Sequence, residues 1–351
     1  MEATRDALIG LDGRVGRITL NRPNALNALN EAVASAMLEA LQHWAADDNV
    51  KLVLVDSNGE KAFCAGGDLA TLYKDGRNGD EEGPRNFWKI EYQLDRLISC
   101  YPKPYVAIMD GFVMGGGVGI SSHGSHRIVT EHSVVAMPEC SIGLITDAGG
   151  TLLLARAPGH LGEFLALTGT RMSAEDAIFA GFADLLVPRA ALGKLKEQLV
   201  ESGDISVLRS YRSSVQPSRW LERLPEINAI FGAPSLRELG ALLKANDAEW
   251  IGAARVAMEK ASPLAAAATF RAIRLARSSG SIDAALANEY RYVSRAMQHS
   301  DFLEGIRAAV IDKDRNPRWQ HPDIEAVPDE LVAFMLSEPD GGDPDFRTGE
   351  F

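Results

Sequence analysis

Short apolar runs alternate with longer amphipathic ones through residues 1–190, and the period of each predicts an element. ALIGLDGRVGRITL (7–20) alternates about Asp12-Gly13, predicting a hairpin with Ile18 and Leu20 on one face of its second strand. Pro23 ends that strand. Over 28–47, Val33, Met37, Leu41 and Trp44 recur at helical spacing, with Asn27 or Asn30 available as the cap. The unbroken run VKLVLVD (50–56) predicts a strand covered on both faces. A polar, Gly-rich stretch at 74–84 predicts a mobile surface loop. Residues 86–100 predict a helix striped by Phe87, Leu94 and Ile98. Glu91 falls inside that stripe, so either its stem is buried with its head in water or it is directed into a ligand cavity. YVAIM (105–109) predicts another strand, followed by a Gly-rich turn and two short strands around 127–136. A helix near 160–168 and another from 173 come next, the latter opened by Ser173 and Asp176 as a capping box.

Beyond about residue 200 the strand pattern fades, and RSYRSSVQPSRW (209–220) is the predicted boundary. Ser235 with Glu238, Ser262-Pro263 and Ser281 introduce helices, the last with Leu286, Tyr290, Val293 and Met297 on one face. The final twenty or so residues, rich in Pro, Asp and Gly, predict a loosely held tail. The fold class expected is α/β over 1–200 with a helical region over 201–351.

Composition narrows the function. With 46% hydrophobic residues the chain can bury a large core, and its net charge of −12 argues against a nucleic-acid or anionic-membrane surface. No uncharged apolar run is long enough to span a bilayer, and no signal segment opens the sequence, so a cytoplasmic, reduced setting is expected. Cys64, Cys100 and Cys140 lack CxxC spacing, which suggests neither a disulfide scaffold nor a zinc knuckle. His123, His126 and His132 sit in or beside a Gly/Ser turn without a third partner, so no metal site is expected.

Two glycine clusters carry the chemistry. AFCAGGDL (62–69) and GFVMGGGVGISSHG (111–124) each follow a predicted strand. Consecutive glycines leave backbone N–H groups uncovered, and a helix starting at 115–117 would point unpaired donors outward. Two such clusters facing each other could each give one N–H to a carbonyl oxygen that becomes negative during reaction. Tight strand–helix packing is the plainer use of the same glycines. Neither cluster has dinucleotide or Walker spacing, and no G-x-S-x-G elbow supports a hydrolase serine. Nearby, Glu139 and Asp147 sit among apolar residues; each is either a turn or cap residue or a carboxylate facing a cavity.

ITLNRPNALNALN (18–30), KAFCAGGDL (61–69), KPYVAIMDGFVMGGGVGISSHG (103–124) and VVAMPECSIGLITDAGG (134–150) together resemble the crotonase (enoyl-CoA hydratase/isomerase) superfamily. FLEGIRAAVIDKDRNPRWQHPDI (302–324) extends the resemblance to the 3-hydroxyisobutyryl-CoA hydrolase branch. The resemblance implies a crotonase-like ββα spiral with a helical C-terminal region packing over the active site. It implies an acyl-CoA thioester as substrate, with coenzyme A as part of that substrate and no separate cofactor, and it allows for a homo-oligomer. Carried over by position, Gly67 and Gly116 match the oxyanion-hole amides, and Glu139 matches a catalytic glutamate acting as general base or as nucleophile. Asp147 matches an aspartate at the substrate's hydroxyl end, and Glu91 a further substrate contact. Ala25, Leu26, Ala65 and Gly67 match the backbone that grips adenine and pantetheine. Gly119 departs from hydratases, which carry a second catalytic glutamate there; isomerases and decarboxylases of the superfamily often lack it as well. Thr146 departs from the hydrolase branch, which usually has proline before the aspartate. Hydrolysis of a short branched 3-hydroxyacyl-CoA, as in valine breakdown, is the leading expectation. An enoyl-CoA hydratase or isomerase, or a non-catalytic protein on the same scaffold, are the alternatives.

Overall fold

The structure, a computed structural model, describes residues 5–347. Its strands are β1 (Ala7–Asp12), β2 (Val15–Leu20), β3 (Leu52–Ser57), β4 (Ala62–Cys64), β5 (Tyr105–Met109), β6 (Phe112–Met114), β7 (His126–Val129), β8 (Val134–Ala136) and β9 (Leu185–Leu186). They form a six-stranded sheet in the order β1-β2-β3-β5-β7-β9 and a three-stranded sheet in the order β4-β6-β8. Only β1 and β2 pair antiparallel; all other neighbours are parallel. The hairpin loop is Gly13-Arg14, one residue later than predicted, because Asp12 still pairs with Val15 and Gly13 makes the left-handed turn at φ +60°. From β3 onward the chain repeats a step: one strand in the large sheet, one in the small sheet, then helix or turn. Parallel neighbours require such crossovers, and their repetition winds the chain into the expected spiral.

In the first part the helices are α1 (Glu31–Ala46), α2 (Leu69–Arg77), α3 (Glu82–Ser99), α4 (Gly116–Ser122), α5 (Gly150–Arg156), α6 (Leu161–Thr168), α7 (Ala174–Phe179) and α8 (Leu192–Ser202). Asn30 is the cap of α1, accepting from the Val33 N–H at 2.9 Å. Asn27 is instead left-handed (φ +55°) and ties together the carbonyls of Asn58 and Ala62. Ser173 and Asp176 form the capping box of α7. β3 is covered on both faces: Val53 and Val55 enter the main core, while Leu52 and Leu54 meet Leu195 and Leu199 of α8. The loop predicted at 74–84 is instead the end of α2 and the start of α3. Asp68 caps α2 through the Thr71 N–H, and Gly79 (φ +75°) turns the chain into α3. Gly76 is tolerated inside α2 because Leu303 and Met297 occupy the space of its missing Cβ.

The helices that follow are α9 (Leu224–Phe231), α10 (Leu236–Lys244), α11 (Glu249–Lys260), α12 (Pro263–Ser279), α13 (Ile282–Val293), α14 (Ala296–His299), α15 (Phe302–Ile306) and α16 (Asp329–Met335). Ser235, Ser262 and Ser281 cap α10, α12 and α13. One apolar core runs from Ala7 to Phe346, with α12 packed on α5 and α6 and α13 packed on α3. The stretch 209–220 is stitched to the first part, the Ser213 N–H donating to Leu186 O at 2.9 Å and Trp220 meeting Phe164 edge-on.

The tail is not loosely held over its described residues. Arg291 donates to both carboxylate oxygens of Asp343, and Arg295 reaches the Ser337 carbonyl at 2.7 Å. Phe346 is 4% exposed. Its Pro, Asp and Gly residues build turns, such as the Gly342 N–H to Pro339 O bond at 3.0 Å, between points anchored elsewhere.

Candidate active site

The three strands of the small sheet run parallel, so their carboxyl ends share one edge. Ala65–Gly67 follow β4, Gly115 and Gly116 follow β6, and Glu139 follows β8 after Met137-Pro138. Such an edge is where ligands of open parallel sheets bind. A Cβ on Gly66 (φ +100°) would lie 3.3 Å from Met114 O, and one on Gly115 (φ +53°) would lie 3.0 Å from Glu139 Oε1. Both glycines are therefore required, by backbone conformation and by close approach.

Two amides in these segments are left over. The bridge between Leu29 and Gly67 uses Leu29 N–H to Gly66 O and Asp68 N–H to Leu29 O, each at 2.8 Å, and bypasses the Gly67 N–H. Gly116 is the first residue of α4, whose opening bonds run from Val118 and Gly119 back to Gly115 O. Its own N–H precedes the helical ladder. Gly67 and Gly116 line one cavity of about 130 Å³ together with Ala65, Glu91, Glu139 and Asp147. Leu72, Phe87, Trp88, Ile142, Leu144 and Phe302 supply its apolar wall, and no Lys, Arg or His is among its lining residues.

All three carboxyls of the cavity are at most 5% exposed. Glu91 on α3 does not reach water: its Oε1 sits 2.1 Å from where a Cβ on Gly116 would be. Burial, then the nearby Asp147, raises its carboxyl well above the usual range. Glu139 opens a 3₁₀ turn (Glu139–Ile142), and its Oε2 is buried without a partner. Its carboxyl is likewise raised, by burial and then by Asp147. Asp147 accepts from the Tyr92 hydroxyl at 3.2 Å. Burial pushes it up to about 7 against the pull of that bond. Asp147 is not the cap of α5. That role falls to Glu289 of α13, which accepts from the Gly149 and Thr151 N–H groups at 2.7 and 3.0 Å and is raised by burial to about 8.

Ala25 and Leu26 do not line the cavity. They lie beside it, the exposed Leu26 (φ +51°) accepting from the Ala65 N–H at 3.1 Å. Thr146 places its N–H on Thr269 Oγ1 at 3.1 Å and leaves its own hydroxyl buried without a partner. Gly119 is closed to any side chain, since a Cβ there would stand 2.7 and 2.8 Å from the Asp95 oxygens and 2.9 Å from the Ala148 Cβ. Sequence reasoning missed Tyr92, Asp95 and Glu289, each 0% exposed. The signal available was a polar group beside or one turn from a striped apolar position, as Glu289 stands three residues after Leu286. Among the described residues no cluster of His, Cys, Asp and Glu suits a metal ion, and no helix is long and apolar enough to cross a membrane.

The winding of one strand into each sheet per step, with glycine amides and a glutamate at the shared edge, defines a crotonase-type fold. The chain belongs to the enoyl-CoA hydratase/isomerase family, whose model matches residues 15–336. It is 37% identical to the mitochondrial 3-hydroxyisobutyryl-CoA hydrolase of Gallus gallus, over 94% of this chain and 88% of that protein. It is 35% identical to 3-hydroxyisobutyryl-CoA hydrolase 1 of Arabidopsis thaliana, over 95% and 91%. Among solved structures, an enoyl-CoA hydratase from Rhodobacter sphaeroides 2.4.1 superposes with a TM-score of 0.91 at 48% identity, covering 95% of this chain and 97% of that one. A carnitinyl-CoA dehydratase from Mycobacterium thermoresistibile gives 0.92 at 37%, covering 97% and 98%.

Proposed function

We propose that the protein hydrolyses the thioester of a short, branched 3-hydroxyacyl-CoA, 3-hydroxyisobutyryl-CoA above all, to the free acid and CoA. The observation that carries this reading is Glu139, its Oε2 buried without a partner, in one cavity with the Gly67 and Gly116 amides, while Gly119, where hydratases carry a second catalytic glutamate, is closed to any side chain. Hydration of an enoyl ester profits from two carboxylates, one activating water and one managing the α-carbon proton; thioester hydrolysis needs one, plus an oxyanion hole.

In this reading the two N–H groups hold the thioester oxygen as it gains charge. Glu139 either takes a proton from the attacking water or attacks the carbonyl itself to form a mixed anhydride that water then opens. In both cases the carbonyl carbon gains an oxygen, its bond to sulfur breaks, and the thiolate takes up a proton. After a single turnover in ¹⁸O water, label in Glu139 identifies the anhydride route opened at the glutamyl carbon, whereas label in the released acid alone reports water attack on the substrate's carbonyl carbon. Asp147, held by Tyr92, accepts the substrate's 3-hydroxyl, and Glu91 closes the acyl end. The backbone at Ala25, Leu26 and Ala65 grips the CoA arm, so coenzyme A enters as substrate and no other cofactor is called for.

The similarity to a solved enoyl-CoA hydratase supports hydration as the second reading. Purified protein given 3-hydroxyisobutyryl-CoA and, separately, crotonyl-CoA decides between them. Thiol release from the first is expected; loss of enoyl absorbance from the second without thiol release from the first overturns hydrolysis. The cell setting we infer is cytoplasmic, with the reaction in valine breakdown. Fractionation tests the former, since several relatives are named as mitochondrial.

A further inference from the structure

The described C-terminal segment ends inside the wall behind the active site. Phe346 closes a triangle of rings, 5.7 Å from Tyr92 and 5.8 Å from Tyr290, which are themselves 6.2 Å apart. Tyr92 is 0% exposed, and its hydroxyl is the hydrogen-bond donor on Asp147. The segment before Phe346 is tied to α13 by Arg291 on Asp343 and, just past the end of that helix, by Arg295 on Ser337. That same helix carries Glu289, which holds the backbone just beyond Asp147. Phe346 thus covers a side chain that orients Asp147, while the helix its segment is strapped to holds the backbone just beyond Asp147.

We propose that Phe346, held by the Asp343–Arg291 pair, is a positioning residue for the acyl end of the site: it locks Tyr92 against Asp147 and keeps water from that carboxyl. The inference rests on the hydrolase reading above. Local packing of this kind sets reactivity because displacements of about 1 Å at a reacting group can cost about 10²-fold. The titratable groups facing Asp147 are Glu91, Tyr92 and Asp95 from α3, Glu139 after β8 and Glu289 from α13, with no base among them. Water admitted beside Asp147 weakens the burial that raises its titration, while a loosened Tyr92 withdraws the bond that lowers it; the two effects oppose, so selectivity between esters is the readout.

The test compares wild type, Phe346→Ala and Phe346→Leu on 3-hydroxyisobutyryl-CoA and on isobutyryl-CoA, which lacks the hydroxyl. Phe346→Ala is expected to lower kcat/KM for the hydroxylated ester about tenfold, with a much smaller effect on the other. Phe346→Leu, which keeps an apolar side chain against Tyr92, should restore most of the loss. Asp343→Asn, which loosens the strap but leaves the ring, should give the same pattern more weakly, and it keeps the test open if the alanine variant unfolds. Equal changes on the two esters, no change, or no rescue by leucine overturn the proposal. A wild type that releases no thiol from either ester overturns the parent reading instead, and this one with it.

Discussion

Replacing Tyr92 with phenylalanine isolates one bond. The ring keeps its packing against Phe346 and Tyr290, and only the hydroxyl that donates to Asp147 Oδ2 is lost. A hydrogen bond to a charged group is worth about 1.5–3 kcal/mol. At 3.2 Å this one is long for a hydroxyl donor, which places it at the low end. About 1.4 kcal/mol corresponds to one pKa unit, so Asp147, now at about 7, rises to roughly 8. If the ionised carboxylate is what accepts the substrate hydroxyl, its population at pH 7 falls from about a half to about a tenth. The assay is kcat/KM for thiol release from 3-hydroxyisobutyryl-CoA between pH 5.5 and 9.5. Tyr92→Phe should be about fivefold slower at pH 7 and recover by about pH 9, its acid limb displaced upward by about one unit. Isobutyryl-CoA, with no hydroxyl to bind, should show little of this displacement. Because the neighbouring carboxyls titrate together, the displacement is read from the whole limb. Superimposable profiles, or a limb displaced to lower pH, refute the reasoning.

Three further outcomes follow from the same geometry. Glu139→Gln should lower thiol release by about 10²-fold or more while acyl-CoA binding stays measurable by calorimetry; full activity would remove Glu139 from the chemistry. Gly119→Ala forces a Cβ against Asp95 and Ala148 and should destabilise the fold by about 1–3 kcal/mol in urea unfolding, an unchanged midpoint counting against the packing described. Asp95 has both carboxylate oxygens buried without partners, and burial raises it well above 3.8. The fold therefore keeps that proton where the unfolded chain has lost it: stability is full below about pH 3.8 and falls as pH rises until Asp95 ionises. Asp95→Asn should remove this loss, raising the urea midpoint at pH 8 more than at pH 4 with thiol release retained, and a lower midpoint at pH 8 would refute it.

The amphipathic signals were legible because they are local and repeated. Val33, Met37, Leu41 and Trp44 are all buried, and Asn30, Ser173, Ser235, Ser262 and Ser281 all cap helices. The short strands β4 and β6 were not legible, since three residues carry no period and each is embedded in a glycine cluster. The glycines predicted facing amides; the structure adds that these strands are what bring the two clusters together. The bland use of Glu91 failed for a nonlocal reason: the start of α4, at Gly116, closes over its carboxyl from elsewhere in the chain. Phe346 was beyond reach for the same cause, because composition reports a segment's own leanings and not the pocket that receives it.

The charge of the cavity bears on why one carboxylate suffices. Glu91, Glu139 and Asp147 line it with no cation among the lining residues, and Asp95 and Glu289 stand behind them. Buried like charges this close cannot all ionise, so the set shares protons and holds far less charge than its residue count suggests. A neutral thioester enters such a site without electrostatic conflict. Hydrolysis turns it into a carboxylate at the point where acidic groups are densest, which raises the free energy of bound product and favours its departure. Hydration would leave a neutral product and gain nothing from this arrangement. The closed space at Gly119 and the acidic wall, which share Asp95, therefore favour the same outcome in two ways: one withholds the second catalytic group, and the other expels the anion that only hydrolysis makes.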